Sequence, residues 1–269
     1  MLHALDDSGI SPDVVLGTSI GAINGAMFAA YPSADAVARL EYVWTSEVSR
    51  SVFGASAWQR MGTIAKSWTH THPVGPLRDM LTQEVGDVVI EDLPTPFQCV
   101  AASIERASEH WFTEGSLVDA LLATTAVPGL LPPAKVGGEH FLDGGLVHSI
   151  PLGRAVALGA DTVYVMQVGR IERPLEPPTK PWEVAAVSFE IARRHRFTAE
   201  LASVPDHVTV HVLPTGDIEP PKYADASALK YRDTSRVSDR IALAYEASAQ
   251  YLSEQRLVRR VAADVTHEA

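Results

Sequence analysis

The sequence predicts an α/β fold, a mostly parallel sheet covered by helices on both faces, and three observations carry that expectation. First, the apolar run Val14-Val15-Leu16 is closed by Gly17 and followed by the alanine-rich, proline-free stretch Ile20 to Ala30: strand, tight turn, helix. Second, strand candidates recur at Phe97 to Ile104, Thr162 to Val168 and His207 to Leu213. Third, segments of helical periodicity alternate with those strands.

Taken in order, the helical stripes after Ala30 are Val37, Leu40, Val43 and Trp44, then Trp58, Met61, Ala65 and Trp68, then Leu77, Met80 and Leu81, with Gly86 as the stop of the third. Ser116-Leu117-Val118-Asp119 resembles a capping box that opens a helix ending before Pro128. Gly137-Gly138 predicts a hairpin turn whose outgoing arm, His140-Phe141-Leu142, delivers the chain to Asp143. Pro181 suits the first position of a helix running from Trp182 to Ala202. In the last strand Val208, Val210 and Val212 alternate with polar residues, and a final helix is expected from about Thr234 to Glu254. The proline-rich segments Arg173 to Pro181 and Glu219-Pro220-Pro221-Lys222 read as surface loops. No internal repeat stands out, and residues 1–269 are taken as one domain.

Composition narrows the function classes. The 269 residues are 46% hydrophobic and 20% charged, enough to bury a core, and carry a formal charge of −11. That charge repels phosphate backbones, so nucleic acid is not an expected partner. The densest basic runs, Arg193-Arg194-His195-Arg196 and Arg259-Arg260, read as solvated helix faces. Cys99 is the only cysteine, so no intrachain disulfide forms, which fits a reducing, cytoplasmic setting; in its apolar strand it reads as an inert core residue. No stretch is long and apolar enough for a transmembrane segment.

Chemistry concentrates at Gly17-Thr18-Ser19-Ile20-Gly21. In a sharp strand-to-helix turn the central serine is strained and lifted above the sheet edge, where a substrate carbonyl reaches it. The flanking Gly17 and Gly21 remove side chains that would collide, and the helix start behind Ser19 favours a developing oxyanion. Gly21 and Gly25 would also let the helix lie close to the sheet. Against this stands the plain expectation that Ser19 only caps the helix. A serine hydroxyl needs a base, and Asp143 is the strongest candidate: it follows a strand arm, and Gly144-Gly145 after it permits close backbone approach. A structural Asp-Gly turn is its ordinary alternative.

Paired, the elbow and Asp143-Gly144-Gly145 resemble the patatin-like phospholipase family, whose signature joins Gly-x-Ser-x-Gly to a distant Asp-Gly-Gly or Asp-Gly-Ala. Ala123-Thr124-Thr125-Ala126-Val127-Pro128-Gly129-Leu130-Leu131-Pro132-Pro133 is similar to the family's small-residue block before the aspartate, and Leu2-His3-Ala4-Leu5 with Ser8-Gly9-Ile10 to the helix end before its second strand. The resemblance runs from Met1 to about Val168. It implies a three-layer α/β/α sandwich and a Ser-Asp dyad, with Ser19 as nucleophile and Asp143 as general base, Gly17, Thr18, Ile20, Gly21, Gly144 and Gly145 supplying the backbone around them. The implied reaction is hydrolysis of a lipid ester through an acyl-enzyme, with no cofactor and no metal, at most in transient contact with a membrane surface.

The family's glycine-rich oxyanion loop with its arginine, and the strand before it, have no counterpart ahead of Met1-Leu2-His3. Loss of one oxyanion donor costs ~10²–10³ in turnover, so a late start of the sequence competes with a catalytically impaired lipid-binding or regulatory protein. A Ser-Asp-His triad would need His207 or His211, which the alternation puts on the sheet face opposite the valines, and the elbow stands too early for that fold. His70 and His72 read as a loop pair without a metal, His148 as either a surface residue or part of the site's mouth. Trp44, Trp58 and Trp68 fall on apolar stripes and read as core, with an acyl-binding wall as the alternative.

Overall fold

The computed structural model describes residues 1–31, 33–46, 69–167, 174–216 and 235–267. The stripe from Trp58 to Trp68 and the loop Glu219 to Lys222 lie outside them, as do the side chains of Arg259 and Arg260. Helix α1 (Leu2–Asp7) leads to strand β1 (Val15–Gly17) and helix α2 (Ile20–Ala30), followed by α3 (Ser33–Thr45) and α4 (Gly75–Val85). Next come β2 (Phe97–Ser103), β3 (Ser108–Phe112), α5 (Leu117–Thr124), β4 (Ala134–Val136) and β5 (Glu139–Leu142). The chain continues through α6 (Leu152–Ala157), β6 (Thr162–Val165), α7 (Pro181–Ala202), β7 (Thr209–Val212) and α8 (Ser235–His267).

This is an α/β fold with a mixed sheet. β1 and β2 run parallel, as do β6 and β7 in a second two-stranded sheet, while β3 and β5 pair antiparallel with β2, and β4 with β5. Each sheet has helices against it. The main core joins Ala22, Ile23, Ala26 and Met27 of α2 to Leu77 and Leu81 of α4, Leu117 and Leu121 of α5, and Cys99 and Ala101 of β2. Between β6 and β7 the alternation works as expected: Val163, Val210 and Val212 pack with Leu152 of α6 and Phe197 of α7, while Tyr164 turns to the other face with Ala4, Leu5 and Leu252.

One register detail decides where the site lies. β3 occupies one edge of β2, and both β1 and β5 pair with the other. β1 covers Phe97 to Cys99 in parallel, so it leaves the sheet at Gly17 opposite Cys99. β5 covers Ala102 and Ser103 antiparallel, so it leaves at Leu142 opposite Ala102. The strands approach head-on, and the residues just past their ends, Ser19 and Asp143, meet over the gap at Val100.

Local expectations hold at several points. Gly137 and Gly138 both have positive φ, 57° and 90°, as a tight two-residue hairpin turn requires. Ser116 caps α5, its Oγ accepting from Asp119 N–H at 3.2 Å, but the Asp119 carboxylate faces Arg78 rather than closing the box. Three expectations change. The last helix extends to His267, beyond the expected Glu254. β3 forms where no strand was expected, because its sequence Ser-Glu-His-Trp-Phe has no clean alternation and becomes regular only against β2. Gly21 makes no close approach: a Cβ there would meet nothing within 4 Å, whereas one on Gly25 would stand 2.9 Å from Val15.

Candidate active site

Strand β1, Ser19 and helix α2 form the expected strand-turn-helix. Ser19 has φ 54° and ψ −128°, a conformation that a non-glycine residue holds only when its surroundings over-determine it, at a cost of ~1–3 kcal/mol. Its side chain does not cap α2. Instead Ser19 Oγ donates to Asp143 Oδ2 at 2.6 Å. Gly17 makes the turn feasible, since a Cβ there would stand 2.4 Å from Ala22 Cα. Thr18 Oγ1 donates to the His148 carbonyl at 2.7 Å, tying the elbow to the chain beyond the aspartate. Ser19 N–H donates to Thr124 Oγ1 at 3.0 Å. The next amide, Ile20 N–H at the start of α2, has no hydrogen-bond partner among the described residues.

Asp143 is buried, 3% exposed, and both oxygens are used: Oδ2 by Ser19 and Oδ1 by Gly145 N–H at 2.7 Å. Burial pushes its carboxyl up to about 6, against the two hydrogen bonds, which favour the anion. That leaves a carboxylate basic enough to take a proton near neutral pH and still largely ionised there. Gly144 has no space for a side chain, because a Cβ would fall 2.0 Å from the Val100 carbonyl oxygen. At Gly145 a Cβ would meet Phe189 of α7 at 2.9 Å. Both glycines thus serve close packing.

Charged groups brace this centre from outside. His148, expected at the surface or the site's mouth, is buried at 8% exposure. Its Nδ1 faces Glu200 of α7 at 3.0 Å and its Nε2 faces Glu109 of β3 at 2.5 Å. The Glu200 bond, helped by that of Glu109, holds the imidazole above its ordinary pKa although burial and Arg196 pull it down. Burial opposes ionisation of both glutamates most strongly of any single cause, but their interactions with His148, added to those with Arg196 and with Trp111 for Glu109 or the Gly153 N–H for Glu200, outweigh it and hold them below the usual carboxylate range. Arg193 and Arg194, expected on a solvated face, have side chains only 15% and 12% exposed and share Glu190 at 2.7 and 2.8 Å. His195 and Arg196 are exposed as expected, and the first half of the run departs because α7 turns it onto the loop after Asp143, where Arg193 Nη1 reaches Ser149 Oγ at 3.3 Å.

The remaining candidates stand apart. His207 is exposed. His211, expected on an open sheet face, is 5% exposed, stacked on Tyr164 with ring centroids 5.0 Å apart and bonded to Tyr251. Neither is among the hydrogen-bond partners of Ser19 or Asp143 in the described residues. His70 and His72 lie in a loop pinned to the block after α5, with His72 N–H donating to Leu130 O at 2.9 Å. Trp44 packs at the edge of the main core and donates to Asn24 at 2.7 Å. Burial pushes the Cys99 thiol far up, so it stays protonated. Among the described residues no helix is long and apolar enough to cross a membrane. The pattern does not single out Thr124 within its block, although a threonine closing an apolar, fully buried helix end must find hydrogen-bond partners somewhere.

A family model described as Patatin-like phospholipase matches residues 1–156. Among curated proteins, a protein named Lysophospholipase nte1 from Aspergillus terreus is 27% identical over 182 residues, covering 64% of this chain and 11% of its own length. Its namesake from Emericella nidulans is 29% identical over 184 residues, again 64% and 11%. Lysophospholipase NTE1 of Coccidioides immitis is 29% identical over 175 residues, 64% and 10%. The chain therefore spans about a tenth of the length of the relatives it matches.

Proposed function

The chain belongs to the patatin-like phospholipase family, and from that premise we propose that it hydrolyses a carboxylic ester of a lipid, a phospholipid or lysophospholipid, through an acyl-enzyme on Ser19 with Asp143 as general base. The observation that carries the proposal is the 2.6 Å hydrogen bond from Ser19 Oγ to Asp143 Oδ2, made by a serine held at φ 54°. The names of the relatives support the substrate class.

In the first step Ser19 Oγ attacks the ester carbonyl carbon while its proton passes to Asp143 Oδ2. The carbonyl oxygen becomes an oxyanion beside the N-terminus of α2, where the Ile20 N–H, without a partner among the described residues, can donate and the aligned peptide dipoles favour negative charge. Collapse of the tetrahedral intermediate breaks the bond to the leaving alcohol, which takes the proton from Asp143. A water then attacks the acyl-enzyme, giving a proton to Asp143; the second collapse releases the fatty acid and returns that proton to Ser19. No histidine is needed, because the carboxylate bonds the nucleophile directly.

The test is ester hydrolysis and fluorophosphonate labelling by the protein and by four variants. Ser19→Ala should abolish both, and Asp143→Asn should cut turnover steeply while His207→Ala and His211→Ala leave the chemical step alone. Retained labelling in Ser19→Ala would overturn the proposal. Lipid binding without labelling of the unaltered protein would favour a binding role.

A further inference from the structure

Ser19 and Asp143 arrive from strands that meet head-on, with no ladder between them, so their spacing must be set by something that touches both. The C-terminal end of α5 does. Thr124, with no exposed surface, accepts from Ser19 N–H at 3.0 Å and donates to the Val100 carbonyl at 2.5 Å. Two residues on, the Ala126 carbonyl accepts from Asp143 N–H at 2.9 Å. Val100 lies in the interruption between β1 and β5, and its oxygen is also the atom against which Gly144 packs. One short segment thus holds the backbone of both residues, and one carbonyl is the common reference for the turns that carry them.

We propose that Thr124 is a positioning residue for acyl transfer, whose hydroxyl turns the Ser19 peptide so that its N–H points into the core and the oxyanion is left to the amides that open α2, Ile20 N–H first among them. The inference rests on Ser19 and Asp143 acting as nucleophile and base. Its chemistry requires a group that both accepts and donates. A threonine hydroxyl does so, whereas an isosteric valine would fill the same volume and leave Ser19 N–H and Val100 O buried without partners. Ser19 holds its strained dihedrals only while such contacts persist, so loss of the hydroxyl should act on the geometry of attack rather than on the pocket that receives the acyl chain.

The experiment compares Thr124→Val and Thr124→Ser in the full chain, beside Ser19→Ala, by ester kinetics and by the rate of fluorophosphonate labelling. Thr124→Val should lower kcat and the labelling rate roughly 10- to 100-fold with KM almost unchanged, and Thr124→Ser should return to within about 3-fold of the parent protein. Labelling of Thr124→Val at the parent rate would overturn the proposal, as would equal losses in both variants or a rise in KM alone. Persistent labelling of Ser19→Ala sinks the nucleophile assignment instead, and is seen separately. Amide hydrogen exchange of the unaltered protein decides the matter if Thr124→Val does not fold or if no label is taken. The Ser19 amide should exchange at least about 100-fold more slowly than that of exposed Gly21, and equal rates would contradict the proposed bond.

Discussion

Around β2, Ser19 and Asp143 are held by uncharged, closely packed groups, whereas β3 and α7 brace the same centre from outside through ions. The inner set consists of the Thr124 hydroxyl, the Gly145 amide, the Ala126 and Val100 carbonyls, and glycines whose missing side chains allow the approach. The outer set consists of His148 between Glu109 and Glu200, and Arg193 and Arg194 on Glu190. Neutral contacts in a dry interior hold geometry at every pH, while ionic contacts lend stability that depends on protonation. Turnover should therefore be lost through the inner set, and, the buried Asp143 carboxylate itself apart, pH-dependent stability should be lost through the outer.

The largest expected effect breaks the inner set chemically. Removing the charge of the proposed base with Asp143→Asn should reduce kcat by ~10²–10⁴, the range that general base catalysis contributes, as measured by ester hydrolysis at pH 7.5. The same variant should be more stable than the parent protein. Because burial raises the Asp143 pKa from 3.8 to about 6, the folded state favours the protonated form, and stability falls as pH rises from about 4 through about 6. Above that window Asp143→Asn should gain on the order of 2–3 kcal/mol in denaturant unfolding, and below about pH 4 the gain should vanish. A variant that is inactive and no more stable would break the picture of a carboxylate kept at the expense of the fold.

Steric probes sharpen the comparison. Gly144→Ala puts a methyl 2.0 Å from the Val100 oxygen and should destabilise by about 1–3 kcal/mol or more, with loss of activity. Gly21→Ala, with nothing within 4 Å, should leave activity intact and stabilise the exposed start of α2 by about 0.5–1 kcal/mol. Thermal unfolding and ester assays on the two variants would separate the packed glycine from the free one.

The smallest loss belongs to the outer set. The folded pKa of His148 is raised, so its contribution is fully present below its unfolded pKa and is lost as pH climbs through the raised value. Glu109 and Glu200 have lowered pKa values, so theirs is fully present above the ordinary carboxylate range and is lost as pH falls through the lowered values. The bracket is therefore strongest between those limits. There His148→Gln should cost about 1 kcal/mol after allowing for the exposure of Glu109, and the difference should shrink toward alkaline pH in unfolding experiments.

How much of this was legible in the chain differs between the two sets. Strand, elbow and helix around Ser19 were readable because glycine spacing and an alanine-rich helix are local signals, and the Gly137-Gly138 turn announced the arm leading to Asp143. The head-on meeting of β1 and β5 was not readable, since it depends on which edge of β2 each strand takes and on a register of a few residues. The small-residue block after Leu122 was visible as a pattern, but the task of its Thr124 depends on the Val100 carbonyl left open by that register. Less still of the outer set was legible. His148 meets Glu109 and Glu200 from 39 and 52 residues away, and its burial follows from a strand, β3, whose polar sequence gave no period of its own.

The central claim is that Ser19 attacks with Asp143 as its base, and the pH dependence of fluorophosphonate labelling, with the modified residue located by mass spectrometry, tests it most directly. The rate of labelling at Ser19 should rise with an apparent pKa of about 6, matching the raised carboxyl of Asp143, and that titration should disappear in Asp143→Asn. Label on another residue, or an unchanged titration in Asp143→Asn, would contradict the account.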